Sequence, residues 1–252
     1  MKEPRVCILK ADGTNCDSET RFAFAFDMVG GNTEVVHVNQ LRSGAKKLHH
    51  YHILVIPGGF SYGDDVVSGK VLAVELLSFL RDQLQEFIAS GKLIMGICNG
   101  FQVLVRTGLL PRQSLGHMYA TLTSNDSGRF QCSWIQVAIQ PSPCVYTQGL
   151  EGNVITLQMA HGEGKYLTTS AILQATEADQ LVVLRYLENP NGSMNGIAGV
   201  CDPSGRIFGL MPHPERYVLP HQYENWRRTS HTKPHGLPIF ENAVTFAAEN
   251  LC

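Results

Sequence analysis

The stretch Lys92 to Leu104 constrains this chain more than any other. Leu93, Ile94 and Met95 form an apolar run that leads into Gly96-Ile97-Cys98-Asn99-Gly100, and a helix-like pattern follows from Phe101. Strand, one sharp turn carrying a reactive atom, then helix is the layout of a nucleophile elbow. Glycines flank Cys98 because neighbouring backbone must pass close to a strained residue, where a Cβ would clash. The helix that follows turns backbone N–H groups toward the thiol, which favours thiolate. The bland alternative is a buried structural cysteine in an ordinary βα turn, since cysteine is among the most buried residue types.

The first half of the chain fits a sheet built around that strand. Arg5 to Lys10 reads as a buried strand and Ala11 to Asp17 as a turn. From Ser18 a helix carries Phe22, Phe26 and Val29 on one face and ends at Gly30-Gly31. Thr33 to Val38 and His52 to Ile56 read as two more strands, the second stopped by Pro57-Gly58-Gly59, and Lys70 to Ser90 as one long helix. Strands that are apolar throughout and alternate with helices indicate a mostly parallel central sheet with helices on both faces. Loops at the carboxyl ends of such strands build the site, and both Gly58-Gly59 and Cys98 sit at such ends.

After Gly108 the pattern changes. Gln131 to Gln140, Val154 to Met159, Leu181 to Leu187, Ile197 to Val200 and Arg206 to Met211 read as strands with few helices between them. The last two flank a hairpin turn at Asp202-Pro203-Ser204-Gly205. The expectation is an α/β fold with additional antiparallel strands in its second half. It forms a single domain over 1–252, with an extended surface loop at 219–237 and a final helix from Ile239 to Asn250.

Charge and cysteine usage narrow the function classes. Lys plus Arg is 20 against Asp plus Glu 22, and a net charge of -2 argues against an electrostatic nucleic-acid binder. No apolar run is long enough to span a bilayer, and Val6 to Leu9 is too short for the core of a signal peptide. Seven cysteines, odd in number, scattered and without Cys-x-x-Cys, point away from a disulfide scaffold or structural zinc and toward a reducing cytoplasm. No metal site is expected. His231 and His235 have metal-like spacing but lie beside Pro234 with no cysteine pair nearby, and read as surface.

Three further motifs carry chemistry. In Met211-Pro212-His213-Pro214-Glu215-Arg216, an extended chain projects His213 and Glu215 to the same side, because side chains alternate. A histidine that takes a thiol proton, with a carboxylate to fix its tautomer, is a general base and its orienter. Alone the motif reads as a solvated polar turn, but next to an elbow cysteine it reads as the activating pair that such a thiol requires. The Gly-Gly turn before Phe60 lets a backbone N–H face inward, and with the N–H of Asn99 it could form an oxyanion hole. A plain tight turn is the competing reading. His161-Gly162-Glu163-Gly164 places polar groups between flexible glycines after a strand, suited equally to binding the charged ends of a small substrate and to a hairpin connection.

Together these stretches resemble the class I (triad) glutamine amidotransferases, a flavodoxin-like fold. The finer likeness is to the glutaminase subunits of phosphoribosylformylglycinamidine synthase. It is carried by Gly13-Thr14-Asn15-Cys16-Asp17, Pro57 to Asp64, Gly96 to Gln102, Asn125-x-Ser127-x-Arg129-Phe130, Ala160 to Tyr166, Asn189 to Ser193 and Met211 to Arg216. The resemblance implies hydrolysis of L-glutamine to glutamate and ammonia, with Cys98 as nucleophile, His213 as proton shuttle and Glu215 as its orienter. By position, Gly59 and Asn99 supply the oxyanion donors, and Gln102, His161 and Glu163 contact the substrate. It also implies a synthetase subunit (PurL-type) that uses ATP and Mg to convert formylglycinamide ribonucleotide to the amidine, and a small bridging subunit (PurS-type). This chain itself takes no cofactor. Asp65 to Ser68 depart from the bulkier or more basic residues of many members, and 219–237 is longer than the minimal domain. Trp226-Arg227-Arg228 there is expected to anchor a subunit interface. The competing readings are the glutaminase subunit of another amidotransferase and a non-catalytic scaffold for a synthetase.

Overall fold

In the computed structural model, which describes residues 3–228 and 233–252, the strands are β1 (Arg5–Lys10), β2 (Asn32–His37), β3 (Ile53–Ile56), β4 (Leu93–Ile97), β5 (Ala120–Thr123), β6 (Gln131–Ile139), β7 (Val154–His161), β8 (Lys165–Thr168), β9 (Val182–Tyr186), β10 (Ile197–Cys201) and β11 (Ile207–Leu210). The helices are α1 (Asp17–Phe24), α2 (Phe26–Val29), α3 (Val38–Arg42), α4 (Lys70–Phe79), α5 (Arg81–Ala89), α6 (Asn99–Arg106), α7 (Ser170–Ala178) and α8 (Leu237–Asn250). Nine strands join in one sheet, ordered β2-β1-β3-β4-β11-β10-β9-β6-β7, and β5 pairs with β8 in a separate ribbon.

The sheet divides where its chemistry divides. From β2 to β11 every pairing is parallel, in the 2-1-3-4-5 order of flavodoxin-like folds. Val6 to Leu9, all of β3 and all of β4 are buried, as strands covered on both faces must be. Two helix groups supply the cover: α1, α2 and α8 pack together, as do α4, α5 and α6. Beyond β11 every pairing is antiparallel. There β7 alternates between buried and half-buried positions, the signature of a sheet with one wet face.

This antiparallel wing curls back toward the centre. β7 is four strands from β11, about 19 Å in a flat sheet at the usual spacing of strands. Yet the His213 N–H, just past β11, donates to the Gln158 carbonyl of β7 at 2.8 Å. The pairing of β10 with β9 shifts register between Ile197 and Val200, an irregularity of the kind that bends sheets.

Several expected boundaries move. The helix from Ser18 breaks at Ala25, and its buried face is Thr20, Ala23 and Phe24, while Phe22 is 45% exposed. The face is set by Phe24, whose ring meets Phe240 of α8 edge-on at 4.8 Å. The side chain of Phe26 lies outside the described residues. The single helix expected from Lys70 to Ser90 is two, parted at Leu80, where φ is -120° and the side chain is buried. The β5–β8 ribbon and α7 had no counterpart in the sequence reading.

Of 219–237, residues 229–232, and with them His231, lie outside the described residues. The segment is pinned at both described ends. Leu219 packs on the core, Tyr223 stacks on buried Tyr217 at 5.4 Å, and Trp134 meets both rings edge-on. His235 is half-buried rather than on the surface, because its Nδ1 accepts the Thr156 N–H at 2.9 Å.

Candidate active site

The elbow forms for steric reasons visible atom by atom. Cys98 lies between β4 and α6 at φ 52°, ψ -104°, a conformation costly for any side chain and typical of strain stored at functional positions. A Cβ on Gly100 would fall 1.8 Å from the Ile56 carbonyl oxygen, and one on Gly96 would fall 2.6 Å from that of Gly100. Only glycines let α6 start this close to β3. The Cys98 N–H donates to the Leu210 carbonyl at 2.8 Å, which ties the elbow to the end of β11.

The chain leaving β11 delivers the base. His213 and Glu215 are both buried, and the imidazole Nδ1 lies 2.6 Å from Glu215 Oε1. With Nδ1 so engaged, Nε2 is the free nitrogen; it has no hydrogen-bond partner among the described residues. Burial opposes a charge on His213, but the Glu215 carboxylate and the facing sulfurs of Cys98 and Cys16 outweigh it and hold the imidazole well above its ordinary value. This pair was expected, and the structure brings its imidazole to Cys98: the two meet around Gly58, whose added Cβ would stand 2.8 Å from His213 Cε1 and 3.5 Å from the Cys98 Cβ.

A cavity with an empty volume of about 630 Å³, including its open mouth, lies over the thiol. Cys98, His213, Gly59, Gln102, His161 and Glu163 line it, so most residues singled out from sequence share one space. Asn99 opens α6, and first-turn N–H groups have no acceptor within their helix. Its side chain turns aside to Asp64, donating at 3.0 Å, and to Gln102, donating at 3.1 Å. Gln102 is held at its other end too, where Nε2 donates to the Glu163 carbonyl at 2.6 Å. Two carboxylates, Asp64 and Glu163, border the cavity; burial, then the charge of Glu163, raises the Asp64 carboxyl.

Sequence reasoning missed Cys16 and Arg216 as parts of this site. Cys16 is buried beside the imidazole, accepts a hydrogen bond from Arg216 Nη2 at 3.3 Å, and lies 3.3 Å from Asn15 Oδ1. Arg216 Nη1 donates to Gln158 Oε1 at 2.9 Å. Cys16, His213 and Glu215 each offer a ligand atom, all within 4.8 Å of one another, a spacing a metal ion can bridge, although Glu215 is already engaged with the imidazole. Two signals pointed there: both residues lie in stretches that carry the family likeness, and Cys16 follows β1 just as Gly58 follows β3, both at carboxyl ends of parallel strands.

Known proteins resemble this chain over nearly its whole length. The CobB/CobQ-like glutamine amidotransferase domain matches residues 3–247. The phosphoribosylformylglycinamidine synthase subunit PurQ of Dehalococcoides mccartyi is 43% identical across 99% of this chain and 100% of its own. That of Methanococcus maripaludis is 43% identical across 96% of this chain and 97% of its own. The structure of PurLQS from Thermotoga maritima contains a chain that superposes with a TM-score of 0.77 at 33% identity, covering 97% of this chain and 99% of that one.

Proposed function

Because this chain belongs to the CobB/CobQ-like glutamine amidotransferases, and among them to the PurQ subunits of phosphoribosylformylglycinamidine synthase, we propose that Cys98, His213 and Glu215 are the triad with which it hydrolyses glutamine. One observation carries the assignment: a buried imidazole fixed by a carboxylate on one side faces a strained elbow thiol on the other.

The raised imidazole of His213 holds the thiol proton on Nε2, and Cys98 Sγ attacks the side-chain amide carbon as the thiolate. Glu215 keeps the imidazole in the required tautomer and stabilises its charge. The backbone N–H groups of Gly59 and Asn99 receive the oxyanion, each donor worth roughly 3 kcal/mol in the transition state. His213 returns the proton to the departing nitrogen, ammonia leaves, and a γ-glutamyl thioester remains on Cys98. Water, deprotonated by the same imidazole, releases glutamate and restores the thiol. Gln102, His161 and Glu163 hold the substrate, with the Glu163 carboxylate suited to its α-ammonium group. No step calls on a metal or cofactor in this chain.

Its ammonia serves a synthetase subunit that converts formylglycinamide ribonucleotide to the amidine in purine biosynthesis. The likeness to a chain of PurLQS supports a PurL-type synthetase partner, which binds ATP and Mg, and a PurS-type bridging subunit. The test is alkylation by a reactive glutamine analogue followed by mass mapping. The modification is expected on Cys98, and glutamate release is expected to vanish in Cys98→Ala; labelling elsewhere, or activity surviving that substitution, would overturn the assignment.

A further inference from the structure

His161 has a hydrogen-bonding direction that can be read from its neighbours. Asn125 Nδ2 donates to the carbonyls of His161 at 2.9 Å and Arg129 at 3.1 Å, which fixes the orientation of that amide. Asn125 Oδ1 then accepts, both from the Gly164 N–H at 3.1 Å and from His161 Nδ1 at 3.1 Å. The proton of the neutral ring is therefore on Nδ1, and Nε2 is a lone-pair acceptor. Gly164 closes against the ring, since a Cβ there would fall 2.1 Å from His161 Cε1. The ring is clamped and 3% exposed; its Nε2 is buried with no hydrogen-bond partner among the described residues, and His161 is one of the residues that line the cavity over Cys98.

We propose that His161 Nε2 accepts a hydrogen bond from the carboxamide nitrogen of glutamine, and then from the ammonia that replaces it, so that the leaving nitrogen is aimed at a group that cannot give it a proton. The proposal rests on the glutaminase reading above. Its place in the cavity favours the reacting end of the substrate over the α-amino end. The neighbouring carbonyl, that of Ala160, is the one 3.7 Å from Cys98 Sγ, and His213 lines the same cavity as His161. The α-ammonium has better partners in the carboxylates of Asp64 and Glu163. Burial, then the facing His213, pushes the His161 imidazole down to about 4, so it stays neutral at neutral pH. A protonated neighbour would convert ammonia into ammonium, which has no lone pair with which to attack an acceptor. His213 gives up one proton to complete the departure, and His161 adds none.

Two isosteric substitutions separate this role from a structural one. Asn places an N–H where Nδ1 was and keeps the bond to Asn125, but has nothing at the Nε2 position. Gln places an oxygen at the Nε2 position and loses the bond to Asn125. Both variants are assayed in complex with the synthetase, on glutamine and on the γ-methyl ester of glutamate, whose leaving group carries no N–H. For His161→Asn, kcat on glutamine is expected to fall about tenfold or more with little change in KM, while the ester rate stays within about twofold of wild type. His161→Gln is expected to retain most of its rate on glutamine. An active Asn variant beside an inactive Gln variant would make the residue a structural tie to Asn125. A loss shared equally by amide and ester would move the contact away from the leaving nitrogen, and either result overturns the proposal. Wild type that released no glutamate at all would sink the glutaminase reading instead.

Discussion

At Gly58 an added Cβ would stand 2.8 Å from His213 Cε1 and 3.2 Å from Cys16 Sγ. The backbone there is not left-handed, so alanine is conformationally acceptable and the obstacle is the imidazole itself. Gly58→Ala is expected to displace His213 from the thiol and cut glutamate release by roughly a hundredfold, the usual cost of misplacing a catalytic group by about 1 Å. Melting should change little; steady-state kinetics and a thermal scan of the same preparation check both halves. His161 leaves a second trace, in stability. Its folded value of about 4 lies below its ordinary 6.5, so between those limits the unfolded chain binds the proton and the folded one does not. Stability from this group is complete above pH 6.5 and is lost as pH falls toward 4, by at most about 1.4 kcal/mol per pH unit. The stability gap between wild type and His161→Asn should narrow across that window in urea titrations, and parallel curves would show that His161 titrates normally. Cys98, His213 and Glu215 could be picked out in the sequence because each belongs to a short motif with its own chemical logic. The pairing of Cys16 with Arg216 could not, since it joins positions 200 residues apart through a crossing of two loops.

The contact between α6 and β3 is closer than helix and strand normally approach, and Gly100 makes it possible. Gly100→Ala would force about a methyl group against the Ile56 carbonyl oxygen, where only 1.8 Å is free. The expected cost is at least about 1–3 kcal/mol, read as a lower denaturant midpoint, together with slower alkylation of Cys98 because the elbow is pushed outward. An unchanged midpoint would mean that the helix start can slide. Elements with a consistent pattern were recovered from sequence nearly to the residue. β1 is Arg5 to Lys10 as read, because four successive apolar residues buried on both faces leave no second interpretation. β6 begins at Gln131 as read. The misses have physical causes. α1 was given the wrong face because the partner that selects Phe24, the ring of Phe240, comes from the far end of the chain. β5 and β8 have four residues each and pair across an intervening antiparallel hairpin, so neither has a local signal strong enough to be seen.

On the scale of the molecule, the curl of the antiparallel wing assembles the site from both halves of the sheet. The parallel half supplies Cys98 and the Gly58-Gly59 turn; the wing brings Gln158, Ala160 and His161 back against them. One wall is built from the turns between Gly59 and α4. Tyr62, Asp64 and Val66 all have left-handed φ there, and Val66, a β-branched residue at φ 73°, is 76% exposed. Asp64 and Ser68 of this segment border the cavity, and the Ser68 N–H donates to Glu163 Oε2 at 3.4 Å. A synthetase that grips this wall can therefore change the shape of the cavity, which would let glutamine hydrolysis wait for its partner. The isolated chain is expected to hydrolyse glutamine slowly and to speed up on addition of synthetase and acceptor nucleotide. Val66→Glu puts a charge on the exposed strained tip without touching the cavity. It should leave basal hydrolysis within about twofold of wild type and lower the activation by the synthetase about tenfold. Trp226, exposed and covered by the Arg227 guanidinium at 5.1 Å, marks a second expected contact; the double substitution Trp226→Ala, Arg227→Ala should weaken assembly without altering basal rate. Activation titrations separate the two effects. A lower plateau at saturating synthetase indicates the wall, whereas a shifted midpoint with the same plateau indicates the docking contact. If wild type is equally fast alone and in the complex, the coupling assigned to the Gly59–α4 wall does not exist.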